Sequence, residues 1–221
     1  GGILGLFLFI GYVFQTIGLK YTTSTNAGFI TGISVVLVPI IFSLLYRQRP
    51  TVSTTVTVIL AATGLFFLSF PRNSFSLAYG DFLVLICAFG FAFHIIFVDR
   101  YSHRHNAIAI TAVQIFFVGI VSLLIGLISE PWPEHFSANL LTAFFITAVF
   151  ATSLAFLLQN ALQKYSTPTR IAIVLTTEPV FAALAGYLWA QEILSQRAMF
   201  GAGLILVSML ISILTRKSKN V

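Results

Sequence analysis

Eight apolar runs, each roughly 20 residues long, alternate along the chain with short polar breaks, and a run of that length is what one helix needs to cross about 30 Å of hydrocarbon. The runs lie near residues 2 to 19, 25 to 46, 52 to 70, 79 to 98, 107 to 129, 139 to 162, 169 to 189 and 196 to 214. The breaks hold turn and cap residues: Thr22 to Asn26, Arg47 to Pro50, Pro71 to Ser74, Ser102 to Asn106, Pro131 with Pro133, Thr167 with Pro168, and Gln191 with Glu192. No break exceeds about a dozen residues, so no soluble domain is inserted. The pattern predicts an all-α polytopic membrane protein with eight transmembrane helices.

Composition excludes the alternative of a water-soluble globule. The chain is 58% hydrophobic and only 8% charged, against about 25% charged in ordinary globular domains. Lipid is therefore its solvent and its first partner. A net charge of +6 would suggest nucleic acid in a soluble protein, but no basic stripe interleaved with aromatics is present, and no nucleic-acid partner is expected. The single cysteine, Cys87, rules out an internal disulfide and a cysteine-based zinc site, and no cofactor or metal motif occurs.

The charge is explained by topology. With eight spans, Arg47, Arg49, Arg100, Arg104, Lys164, Arg170, Arg216, Lys217 and Lys219 fall on one side and Lys20, Arg72 and Arg197 on the other. By the positive-inside rule the first side is cytoplasmic, so both ends of this chain face the cytoplasm of a cell membrane, expected to be of bacterial inner-membrane type. Glu130, Glu134 and Glu192 fall outside, with Trp132 at headgroup level.

A shift of 144 residues lays Gln15 to Thr25 on Gln159 to Thr169 with five of eleven positions identical, including Lys20 on Lys164 and Thr23 on Thr167. The same shift keeps span one on span six, span two on span seven and span three on span eight. An offset of five spans is odd, so the two copies cross in opposite senses, as in the inverted repeats of many transporters. Residues 1–74 then form a first copy of three helices and residues 75–221 a second copy of five. A first copy of five would require two further helices, about 65 residues, before residue 1.

Asn26-Ala27-Gly28-Phe29 with Val38-Pro39 in the first copy, and Glu178-Pro179-Val180-Phe181-Ala182-Ala183 with Glu192 and Gly201 in the second, resemble the EamA-type branch of the drug/metabolite transporter superfamily. The resemblance covers essentially the whole chain. It implies two inverted five-helix halves and export or import of small organic molecules. The chain departs from the pattern in having eight spans rather than ten, in Gln191 before Glu192 where a glycine is usual, and in Ser208 where a glycine is common.

Polar groups held in hydrocarbon are paired, line water or perform chemistry. Glu178 lies about 13 Å into span seven, near the midplane, where a carboxyl can bind a proton and a cationic substrate in turn. Its neighbour Pro179 cannot donate to the Leu175 carbonyl and marks a helix break, as Pro39 does in span two. The structural alternative is a neutral carboxyl bonded across helices. Thr152, Phe156, Gln159 and Gln163 form one stripe on span six that should face the bundle. Gln159 and its repeat mate Gln15 sit near opposite mouths, placed either to bind substrate in turn or to bond neighbouring helices. Thr31 and Ser34 on span two, Thr111 and Gln114 on span five, and His94 on span four carry the same two readings. Gly28 with Gly32, and Ala182 with Gly186, permit close helix approach.

No HExxH, Walker A loop or second intramembrane acid accompanies Glu178, so an enzyme is not expected. The expectation is a secondary transporter of small organic metabolites working by alternating access. The absence of Lys or Arg at any span centre disfavours phosphorylated substrates and favours amino acids or drug-like cations. The competing reading is a non-transporting membrane subunit that packs against a partner protein. A homodimer is left open.

Overall fold

The computed structural model describes residues 1–69, 78–129, 136–189, 191 and 194–215, and these form helices with no strand among them. Helices satisfy their own backbone groups, which hydrocarbon cannot do for them. In chain order they are α1 (Gly2–Gly18), α2 (Ser24–Gly32), α3 (Ser34–Tyr46), α4 (Val52–Ser69), α5 (Tyr79–Ser102), α6 (Ala107–Ser129), α7 (Ala138–Ile146), a π-helical segment (Thr147–Leu154), α8 (Ala155–Gln163), α9 (Pro168–Leu175), α10 (Glu178–Trp189) and α11 (Gln196–Leu214). Among the described residues seven spans are long and apolar enough to cross a membrane, and α1 is a shorter apolar helix. The expected loop residues Arg72, Glu130, Trp132, Glu134, Glu192, Arg216, Lys217 and Lys219, and the boundary between residues 74 and 75, lie outside the described residues.

The internal repeat reaches into local geometry. Thr23 caps α2 by accepting from the Asn26 amide at 3.2 Å, and its mate Thr167 caps α9 by accepting from the Arg170 amide at 3.4 Å. Span two is interrupted at Ile33 and span seven at Thr176 and Thr177. The 144-residue shift carries Ile33 onto Thr177, so the two breaks are one feature built twice.

That equivalence corrects the expectation for Pro39. Its ring lies buried inside a continuous α3, and the chain breaks six residues earlier. A proline removes one bond to the preceding turn, which a helix packed on its neighbours tolerates. Pro179 does sit at its break, as the second residue of α10, where a missing N–H costs nothing. The prolines are not repeat mates; the breaks are.

Helices α4 and α11 pack antiparallel along a seam whose contacts are reciprocal. The Ser208 hydroxyl donates to the Thr57 carbonyl at 2.7 Å, and Gly64 lies against Gly201. The shift carries Thr57 onto Gly201 and Gly64 onto Ser208, so each contact is the image of the other about a pseudo-two-fold axis. The other matched spans also run oppositely. Leu4 in α1 packs with Val98 and Ile110, at the end of the bundle that carries Arg100 and Arg104, whereas span six reaches that end last, where Asn160 bonds Thr111. We call it the basic end. Span two reaches it in α3, and span seven leaves it from α9, whose Arg170 bonds the Thr215 carbonyl.

Helix α5 is central, with thirteen buried positions from Gly80 to Ser102. Its start is fixed by Asp81, 2% exposed, which accepts from the Ala78 amide at 2.8 Å and the Thr22 hydroxyl at 2.5 Å. Outward faces carry large apolar side chains, such as Leu123, Ile128 and Phe145, as lipid contact requires. The main core, Val35, Val38, Ile41, Ala92, Ile96, Ala172 and Ile173 with their neighbours, joins α3, α4, α5 and α9 towards the basic end.

Candidate functional site

A cavity of about 910 Å³ lies between α1, α6 and span six, large enough for a small organic molecule. Its walls are mostly apolar, among them Leu8, Val118 and Phe144, with hydroxyls from Tyr12, Ser122, Thr152 and Ser153. The π-helical segment supplies Ala148, Thr152 and Ser153. Its wide turn is seen in the Ser153 hydroxyl, which donates five residues back to the Ala148 carbonyl at 2.8 Å. Segments of this kind re-aim side chains and recur at functional sites.

Tyr12 organises the cavity's inner wall, and no sequence signal marked it. Its ring meets Phe91 edge-on at 5.7 Å and Phe156 at 6.5 Å. Its hydroxyl lies beside Thr152 and within electrostatic range of the Glu178 carboxyl. Glu178 opens α10 directly after the break and is exposed rather than locked in the packed interior. It is in electrostatic range of Tyr12 but is not among the residues that line the cavity.

Phe156 divides this group from a buried polar layer. On its far side it meets the His94 ring edge-on at 5.5 Å, and His94 Nε2 is 3.2 Å from Gln114 Oε1. Both residues are at most 2% exposed. Gln159 donates to Gln163 at 3.4 Å, and Gln163 in turn donates to the Ile95 carbonyl. Asn160 donates to Thr111 at 2.8 Å, and Thr111 to the Ala107 carbonyl at 2.7 Å. Gln114 Nε2 and Asn160 Oδ1 are left without a partner among the described residues. The stripe Thr152, Phe156, Gln159 and Gln163 does face the bundle, while Leu154, Leu158 and Leu162 between them are exposed.

The remaining candidates stand apart. Gln15 donates to Thr31 at 3.2 Å, and Thr31 lies 3.9 Å from the Cys87 sulfur, which ties α1, α2 and α5 together away from the cavity. Ser34 is half-buried at the start of α3 and makes no side-chain hydrogen bond among the described residues. The site is thus a mostly apolar chamber with hydroxyls from Tyr12, Ser122, Thr152 and Ser153, suited to a small organic molecule. Among the described residues no three His, Cys, Asp or Glu side chains converge as metal ligands.

Comparison with known proteins gives the same direction. Residues 1–70 and 78–214 match the EamA-like transporter family. Two proteins of Archaeoglobus fulgidus, each named an uncharacterized transporter, are 39% identical over 94% of this chain and 26% identical over 97% of it. The chain spans 66% and 76% of their respective lengths. A solved crystal structure, 18% identical, superposes with a TM-score of 0.81 over 97% of this chain and 76% of its own, which shows the shared fold.

Proposed function

The chain belongs to the EamA-like transporter family, and from that premise we propose that it carries small organic metabolites across a cell membrane by alternating access, with both of its ends on the cytoplasmic side. The carrying observation is a contrast between the two ends of the bundle. At the basic end the half-helices α3 and α9 pack together, with Val38 and Ile41 in one core with Ala172 and Ile173. At the other end their repeat images α10 and α2 make no comparable packing. No described residue of α10 is buried, and a Cβ on Gly28 would meet nothing within 4 Å.

This contrast supports the reading of a carrier closed at its basic, cytoplasmic end and open at the other. The opposite state follows by exchanging contacts through the repeat: Gly28 and Phe29 close on Ala182 and Ala185 while Val38 and Ile41 part from Ala172 and Ile173. Small residues at Gly28, Ala182 and Ala185 let that face close tightly.

The substrate is an amino acid or a drug-like cation, its apolar body in the chamber and its charged or polar end at Glu178 and Tyr12. Glu178 alternates between proton and substrate. Flux of amino acids and of hydrophobic cations into proteoliposomes holding the full chain tests this. We expect Glu178→Gln to lower proton-coupled flux at least about tenfold, the loss of one ionic contact. Unchanged flux and pH profile would remove Glu178 from the mechanism, and no flux of any solute would favour the reading of a packing subunit.

A further inference from the structure

We infer that the basic end holds a second site, an oxyanion-binding pocket for one phosphoryl group, at the junction of α4, α9 and α11. A cleft of about 30 Å³, room for about two water-sized groups, opens there between the first turns of α4 and α9 and the last turn of α11. Arg170 forms one wall. Its Nη2 donates to the Thr215 carbonyl at 3.0 Å, a single use of a five-donor fork, and no acid pairs with it among the described residues.

Hydroxyls complete the wall. Thr169 and Ser212 are residues only 7% and 4% exposed, and their hydroxyls, like that of Ser53, make no hydrogen bond among the described residues. These hydroxyls open onto the cleft without a partner among the described residues, and they converge there with a guanidinium that no acid pairs. The helix starts add to the field. The Ser53 amide lies in the first turn of α4, where it has no intrahelical acceptor, and both α4 and α9 direct positive dipole ends at the cleft. The Arg170 guanidinium and the unbonded hydroxyls of Ser53, Thr169 and Ser212 can all donate into the cleft, so the complement is an oxyanion.

The repeat supplies an internal control. The same corner exists at the opposite end of the bundle, where the 144-residue shift puts Asn26 for Arg170, Leu68 for Ser212, Ala198 for Thr54 and Gly201 for Thr57. There Arg197, the mate of Ser53, is spent over the Phe66 and Phe67 rings at 5.2 and 5.6 Å. Thr25 keeps the place of Thr169 and Ser195 that of Thr51, but Arg170 and Ser212 have no counterpart there, so the fold does not need them and the basic end holds them for another reason. Two sources carry the required chemistry: the phosphodiester of a membrane lipid, which reaches this depth from its own leaflet, and free phosphate.

The test uses the full chain in lipid-depleted maltoside micelles, which contain no phosphate. In one arm thermal unfolding is followed against sodium phosphate, with sodium chloride at equal ionic strength as reference. In the other, phosphatidylglycerol is added, with an uncharged galactolipid as reference. The site predicts a saturable rise in Tm in at least one arm and an apparent Kd raised at least about tenfold in Arg170→Gln. A response to phosphate identifies free oxyanion as a ligand, and a response to the phospholipid alone identifies the headgroup. If Arg170→Gln does not fold, Thr169→Val with Ser212→Ala keeps the charge and removes two donors, and must also weaken the response. No response in either arm, or equal responses in wild type and variants, overturns the site. Because the readout is binding, its failure would leave the transport reading standing.

Discussion

Replacing Gly201 by Ala forces apart the one seam on which the pseudo-two-fold arrangement rests. A Cβ built there would lie 2.5 Å from the Gly64 carbonyl oxygen and 2.5 Å from the Leu68 amide nitrogen. Ordinary contact begins at 3.4 Å, so α4 and α11 would have to separate by about 0.9 Å, and both obstructing atoms are backbone that no rotamer change can move. Overpacking of this kind costs about 1–3 kcal/mol, against a gain of about 0.5–1 kcal/mol from replacing a helical glycine. The net loss of up to about 2.5 kcal/mol corresponds to a fall in Tm of up to about 10 °C for a chain of this size. Two sites on the same protein serve as references. A Cβ at Gly203, two residues along α11, or at Gly28 meets nothing within 4 Å, so Gly203→Ala and Gly28→Ala should keep or raise Tm. Thermal unfolding of the purified full chain in detergent measures all three. If Gly201→Ala were as stable as Gly203→Ala, the close seam and the axis through it would be wrong.

Three further outcomes follow from the packing. Asp81→Ala removes the acceptor for the Ala78 amide and the Thr22 hydroxyl and should lower stability by about 1–3 kcal/mol in the same assay, with Asp81→Asn recovering part of it. Thr23→Ala and Thr167→Ala delete repeat-related caps and should cost about 1 kcal/mol each, adding independently in the double variant. Tyr12→Phe keeps the ring contacts to Phe91 and Phe156 but removes the hydroxyl beside Thr152 and Glu178; it should weaken substrate binding in an uptake assay with little change in Tm.

The spans were legible in the sequence because bilayer thickness leaves little freedom over helix length, and the inverted repeat because its copies still share residues such as Lys20 with Lys164 and Thr23 with Thr167. The break in span two was not. Pro39 was the visible breaker, yet the interruption sits at Ile33, directly after Gly32. The other copy breaks at the matching place, between Leu175 and Glu178. Tyr12 was hidden too: among the aromatic residues of α1 nothing separates a ring facing a cavity from one facing lipid until the neighbouring spans are placed. The π-helical turn at Thr147–Leu154 likewise leaves no mark in composition. His94 and Gln114 were both candidates, but only the fold shows that they bond each other, 3.2 Å apart behind Phe156, rather than facing the cavity.

The central claim, that the two ends exchange their packing through the repeat, is tested most directly by trapping the closure absent from this conformation. Cysteines at Gly28 and Ala182, on a Cys87→Ala background, are repeat images of a pair at Val38 and Ala172. Oxidative cross-linking captures even a thinly populated state, because the bond accumulates. The account predicts that both pairs cross-link in proteoliposomes, that each cross-link excludes the other, and that either one stops flux. A Gly28–Ala182 pair that never bonds, although each cysteine alone reacts with a thiol reagent, would contradict it.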